Sequence, residues 1–182
     1  MKEVKPTTQR DLIRLFMAGD VMTGRGIDQI LPHPGDGKLH EPAVKDAMEY
    51  VELAEKANGP IPRSVPYEYI WGDAIGDLKK AHPDVRMVNL ETSITESEEH
   101  WEGKEEHYKM HPENVGSLSA AGIDYAALAN NHILDWGYEG LEETIKEIRK
   151  VNIGYSGAGE DFGHAVEPEI FEVEDTGRVI IY

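Results

Sequence analysis

Ile123-Asp124-Tyr125-Ala126-Ala127-Leu128-Ala129-Asn130-Asn131-His132 is the stretch on which the reading of this chain turns. Residues 125–129 have the length and apolar content of a short buried strand. The strand runs straight into two carboxamides and an imidazole. Such groups need hydrogen-bond partners once they leave water, in a ligand site or in a turn with Asx capping.

Two earlier runs share this form. Residues 12–18 read as a buried strand that ends in Gly19-Asp20, and residues 85–90 as a second that carries Asn89 and is followed by Glu91. Helical patterns separate them. Val44, Met48, Val51 and Ala54 share one face of a helix over 41–57, which Asn58-Gly59-Pro60 stops. Trp71, Ile75 and Leu78 mark a helix over 71–81. Pro112 opens another over 112–121, with Gly122 after its end. Leu141, Ile145 and Ile148 stripe a fourth, closed by Asn152 and Gly154. Residues 170–173 and 178–182 read as a hairpin about Asp175-Thr176-Gly177. Pro32, Pro34, Gly35 and Gly37 rule out regular structure over 24–38, and the acidic residues 92–106 read as an exposed excursion.

Strands that alternate with helices predict an α/β fold with a mainly parallel sheet. In such a sheet the carboxyl ends of the strands share one edge, so Asp20, Asn89, Glu91, Asn130, Asn131 and His132 converge there. Two carboxylates, carboxamides and an imidazole suit a hard or borderline divalent cation such as Mn, Mg, Fe or Zn. Glu91 could bridge two ions that activate a water. Arg25 is a candidate for holding a substrate anion, or an ordinary salt-bridge partner of an acidic surface. His107 and His111 would share a face if Tyr108 and Met110 point inward, but solvated or capping roles are commoner. Asp135 and Trp136 read as shaping the turn into the next helix. His33, His40 and His82 carry no pattern.

Composition narrows the partners. The 182 residues suffice for one domain, and 35 acidic against 18 basic residues give a formal net charge of −17. That balance argues against nucleic acid and against an anionic membrane surface. Cysteine is absent, which removes disulfides, thiolate nucleophiles and Cys-ligated metals. No apolar run is long enough for a signal peptide or a membrane span, which predicts a soluble, cytoplasmic chain without membrane insertion.

The motifs GDVMTGRG (19–26), NLETSIT (89–95) and LANNHILDWGYEGLEETI (128–145) resemble the poly-gamma-glutamate capsule-synthesis family of the CapA type. YKMHPENVGSLSAAGIDYAALANNH (108–132) and GYSGAGEDFGHAVEP (154–168) match it in order and spacing. The resemblance covers residues 12–182 as one domain, after a tail at 1–11. It implies a calcineurin-like metallophosphoesterase branch with an α/β/β/α sandwich, here only its N-terminal portion and so incomplete. It assigns Asp20, Glu91 and Asn131 to one or two divalent metal ions. It makes His132, with Asp20, catalytic, and places Arg25 and Asn130 at the substrate. Met22 stands where the superfamily's first motif has a His ligand, and the superfamily's late-strand His ligands lie in a region this chain lacks. Many relatives are membrane-anchored.

Three functions follow. The first is a metal-dependent hydrolase acting on a phosphoester or amide-type bond in an anionic polymer, such as polyglutamate, or its precursor. The second is a non-catalytic accessory protein for polyglutamate binding or export, which the −17 charge opposes at long range. The third is a metal-free acid–base enzyme using Asp20 and His132.

Overall fold

The computed structural model describes residues 12–182, so the expected tail at 1–11 lies outside the described residues. A four-stranded sheet of order β1-β2-β5-β6 organises the chain. It is built from β1 (Leu15–Val21), β2 (Val85–Leu90), β5 (Tyr125–Ala127) and β6 (Gly154–Ser156), and every pair is parallel. Parallel neighbours require crossovers. These contain α1 (Arg25–Asp28), α2 (Met48–Asn58) and α3 (Ala74–Ala81) before β2, α4 (Gly116–Ala120) before β5, and α5 (Gly137–Lys150) before β6. The chain is therefore an α/β fold with a parallel sheet. Among the described residues no helix is long and apolar enough to cross a membrane.

The central strands are buried for the reason their sequences suggest. Val85, Val88 and Leu90 of β2 and Ala126 of β5 lie in the core with Leu118 of α4 and Ile145 and Ile148 of α5. β1 differs from expectation. It starts at Leu15, runs through Asp20 to Val21, and is not buried: Leu15 and Met17 are 43% and 69% exposed. The cause is its position at the sheet's edge, with β2 its one neighbour among the described residues. Its register with β2 also shifts between Met17 and Asp20, and the strand resumes with Asp20 opposite Asn89.

Other boundaries move for local reasons. Arg25–Asp28 is helical despite the expectation for 24–38, because the Pro-rich run starts only at Pro32. The helix expected over 41–57 begins at Met48. Upstream, Lys38 bridges Asp46, whose side chain accepts from the Met48 amide. Gly72, at φ 51°, divides the 71–81 pattern into a 3₁₀ turn (Tyr67–Trp71) and α3. The 112–121 pattern likewise splits into a 3₁₀ turn (Pro112–Val115) and α4. The short β6 and α6 (Phe162–Ala165) fall below the length at which periodicity speaks. The hairpin forms as expected, from β7 (Glu169–Val173) and β8 (Gly177–Ile181).

The excursion 92–106 is only partly exposed. Thr92 to Thr95 are buried, and β3 (Ser93–Ile94) pairs in parallel with β4 (Lys109–Met110). The Ile94 amide donates to Thr144 Oγ1 of α5 at 2.8 Å. Residues between β3 and β4 thus form a strap whose two ends are fixed beside the carboxyl edge of the sheet.

Candidate functional site

At that edge the strand-end residues meet. Asn89 donates to Asp20 Oδ1 at 2.7 Å, and Asn130 donates to Asn89 Oδ1 at 3.1 Å and to the Leu90 carbonyl at 2.9 Å. Asn130 Oδ1 in turn accepts from the His132 amide at 3.0 Å. Asp20, Asn89, Asn130 and His132 are therefore one hydrogen-bonded series across three strand ends. Asn131 is exposed, and its carbonyl accepts from Lys104 Nζ at 2.5 Å.

His132 is buried, and its ring is fixed on three sides. Nδ1 lies 2.7 Å from Asp135 Oδ2. The Tyr108 ring stacks on it at 3.9 Å and 14°. Nε2 faces Glu91 Oε1 at 4.0 Å. Asp135, which the turn reading undervalued, is fully buried and also accepts from the Tyr108 amide at 2.7 Å and from Lys104. A carboxylate that accepts at Nδ1 fixes the proton there and leaves the Nε2 lone pair toward Glu91. Among the described residues Asp20 makes no direct contact with His132. The carboxylate in contact with His132 is Asp135, while Asp20 is bonded to Asn89.

Arg25 extends the site along the other face of Tyr108. Its guanidinium carbon lies 4.4 Å from the Tyr108 ring centre and 5.1 Å from that of Tyr50. Nε is 2.6 Å from Glu41 and Nη2 is 3.4 Å from Glu106, so the salt-bridge alternative for this residue is realised. Yet among the described residues neither nitrogen, nor Glu41 Oε1, has an aligned hydrogen-bond partner, although all three are buried. Burial pulls the Arg25 guanidinium down, but Glu41, Tyr108, Tyr50 and Glu106 outweigh it and hold it above the usual range. The backbone enforces the placement. Arg25 adopts φ 49°, uncommon for a residue with a side chain, and a Cβ on Gly24 would lie 2.6 Å from the Lys109 carbonyl oxygen.

Tyr108 couples the two halves. Its hydroxyl donates to Glu106 at 2.7 Å. Burial and this bond push the phenol up to about 12, from 10.0. A raised folded-state value means a contribution intact below pH 10 that is lost as pH rises through about 12. The stability advantage of wild type over Tyr108→Phe, about 1 kcal/mol for such a bond, is thus expected to shrink between pH 10 and 12. Urea midpoints measured at pH 9, 11 and 12 check this; parallel profiles for the two proteins would refute it.

The remaining histidines take ordinary roles. His107 is buried with Nε2 2.8 Å from the Trp101 carbonyl, while His111 accepts from the Glu113 amide and meets Glu96 at 3.2 Å. The two do not converge on a shared ligand. His40, which has no sequence pattern, stacks on His100 at 3.8 Å.

Asp20, Glu91 and His132 have the chemistry of metal donors. Among the described residues, however, no group of three or more His, Asp or Glu side chains is gathered closely enough to hold an ion. Asp20 is engaged by Asn89, and Asn131 stands exposed. These side chains as placed do not complete a coordination shell.

Comparison with known proteins gives this geometry a family setting. The sequence profile of the family described as bacterial capsule synthesis protein PGA_cap matches residues 14–182. A probable polyglutamine synthesis accessory protein of Mycobacterium tuberculosis (strain H37Rv) is 44% identical over 171 residues, which cover 94% of this chain and 45% of that relative. The capsule biosynthesis protein CapA of Bacillus anthracis is 23% identical over 154 residues, covering 85% of this chain and 30% of its own length. The PGA biosynthesis protein CapA of Bacillus subtilis (strain 168) is 25% identical over 154 residues, covering 84% and 32%. The chain thus spans less than half the length of these curated relatives.

Proposed function

The chain belongs to the bacterial capsule synthesis protein family, and from that membership we propose that its sheet-edge site acts on a polyglutamate-type anionic polymer or its precursor by acid–base hydrolysis. The observation that carries this reading is the buried Asp135–His132 pair, with Nε2 directed toward Glu91 at the carboxyl edge of the sheet. His132 Nε2 takes a proton from an attacking water and returns it to the leaving nitrogen or oxygen of the scissile bond. Asp135 at 2.7 Å and Glu91 at 4.0 Å stabilise the imidazolium formed between these transfers. Tyr108 covers one ring face and keeps the imidazole in plane. Arg25, beyond Tyr108, offers the charge that suits a polymer carboxylate.

The test is polymer shortening, followed by gel filtration of poly-gamma-glutamate incubated with the protein. His132→Gln is expected to slow shortening by about 10²- to 10⁴-fold, the range for loss of a general acid–base. No shortening by wild type, or equal rates for the two proteins, rejects the hydrolytic reading. Retained polymer binding without shortening supports an accessory role.

A second reading, a divalent-metal hydrolase of the metallophosphoesterase type with an α/β/β/α sandwich, is favoured by one observation. Neighbouring strands put Asp20 and Glu91 side by side, Asp20 opposite Asn89 and the Glu91 amide bonded to the Val21 carbonyl at 3.0 Å. These carboxylates would be its ligands from this chain. Loss of shortening in chelator and its return with Mn would select this reading.

A further inference from the structure

We propose that Arg25 and the Tyr108 hydroxyl form a binding subsite for a glutamyl carboxylate, and that the chain's own Glu106 fills it until polymer displaces it. The inference rests on the polyglutamate reading above and deepens it.

Glu106 is itself a glutamate side chain, held by two partners. Oε1 lies 3.4 Å from Arg25 Nη2, and Oε2 accepts from the Tyr108 hydroxyl at 2.7 Å. The hydroxyl bond, then the charge and a weak, long hydrogen bond of Arg25, and last His132, hold its carboxyl below the usual range against the opposing effect of burial. The carboxylate therefore sits within the electrostatic reach of the imidazole assigned to acid–base work.

The two glutamates on Arg25 are not equivalent. Glu41 is 5% exposed, 2.6 Å from Nε, and accepts from the Tyr50 hydroxyl at 2.5 Å. It belongs to the fixed floor of the site. Glu106 is 53% exposed and stands on the strap between β3 and β4, in the acidic run Glu102-Gly103-Lys104-Glu105-Glu106. Its contact with Nη2 is long, and among the described residues Nη2 is buried without an aligned hydrogen bond. Arg25 therefore has charge balance but unmet donors. A free carboxylate can approach the guanidinium in the fork geometry that Glu106, tethered two residues from Tyr108, does not reach.

Displacement also answers an electrostatic difficulty. A chain with net charge −17 repels a polyanion, so a cationic subsite is useful only where a local acid can be exchanged for a ligand acid. Exchange leaves the local charge count unchanged and releases Glu106 to water.

Calorimetric titration with a gamma-linked glutamate pentamer tests the subsite. Glu106→Gln is expected to bind the pentamer at least tenfold more tightly than wild type. Glu105→Gln, which removes the same charge from the neighbouring exposed residue, is expected to change affinity less than threefold. Adding Arg25→Lys to Glu106→Gln is expected to cancel the gain. Unchanged, weaker or undetectable binding by Glu106→Gln, or an equal gain from Glu105→Gln, overturns the proposal. Because binding is read without turnover, the outcomes separate. Tighter binding with no polymer shortening retains the subsite and rejects hydrolysis. His132-dependent shortening with no Glu106 effect does the reverse.

Discussion

Asp135→Ala is expected to lower the unfolding free energy by about 3–5 kcal/mol, the range for breaking a buried charged network from one side. Three donors converge on this carboxylate: His132 Nδ1, the Tyr108 amide and Lys104 Nζ. Alanine accepts from none of them. Lys104 can turn to water, being 27% exposed, but the Tyr108 amide and the Nδ1 of the 6% exposed His132 lose the acceptor that the fully buried Asp135 supplies. Each orphaned donor costs about 1–3 kcal/mol. Asp135→Asn separates structure from chemistry. Its shape fits, and its single carbonyl keeps one or two donors, so the loss of stability should be about half as large. The carboxamide no longer demands a proton on Nδ1, so the imidazole loses the tautomer that frees Nε2. Turnover should then fall at least as far as in His132→Gln. Urea unfolding and nitrogen NMR of the His132 ring check the two limbs. Asp135→Ala within 1 kcal/mol of wild type would show that the three contacts are incidental.

The parallel sheet edge could be read from the sequence because β1, β2 and β5 carry, at or just past their ends, groups that cannot remain in a dry core. Asp20, Asn89, Glu91, Asn130 and His132 announce themselves this way, and parallel order brings them together. Their orientation was less legible. Asn130 and Asn131 are chemically identical neighbours, but successive residues leaving a strand point in opposite directions. The bend after β5 turns Asn130 in to Asn89 and Leu90 while Asn131 faces solvent. Asp135 had a local signal that the turn reading passed over. It lies three residues after His132, the spacing at which a helical turn brings side chains together. Glu106 and Lys104 had none, and Tyr108 only its place at the start of the 108–132 motif. They sit in an acidic, aperiodic segment, and only the β3–β4 pairing shows that it folds back over the site. The burial expected for β1 failed for a similar reason. An apolar run encodes strand preference, but the number of neighbours is a property of topology.

That folded-back strap makes Trp136 the residue whose truncation should spread furthest: Trp136→Ala is expected to cost about 3–5 kcal/mol. The indole is 2% exposed, and its N–H donates to the Tyr108 carbonyl at 3.1 Å. Lys109 Nζ lies over the ring at 4.1 Å, and the rings of His40 and His107 meet it edge-on at 5.8 and 6.1 Å. Trp136 therefore fastens both the strap and the His40 segment to the start of α5. Removing it opens a cavity and leaves the Tyr108 carbonyl to the Ser93 amide at 3.2 Å, on the residue that stacks against His132 and bonds Glu106. Trp136→Phe keeps most of the volume and loses only the N–H, so it should cost about 1–2 kcal/mol. The alanine variant should also speed hydrogen exchange at the Tyr108 and Lys109 amides, as expected if the strap opens ahead of the sheet. A loss below 1 kcal/mol, or unchanged exchange at those amides, would mean that the strap is held by β3–β4 pairing alone. In that case Glu106 could leave Arg25 only by local motion of its own side chain, since Tyr108 and its neighbours would stay in place.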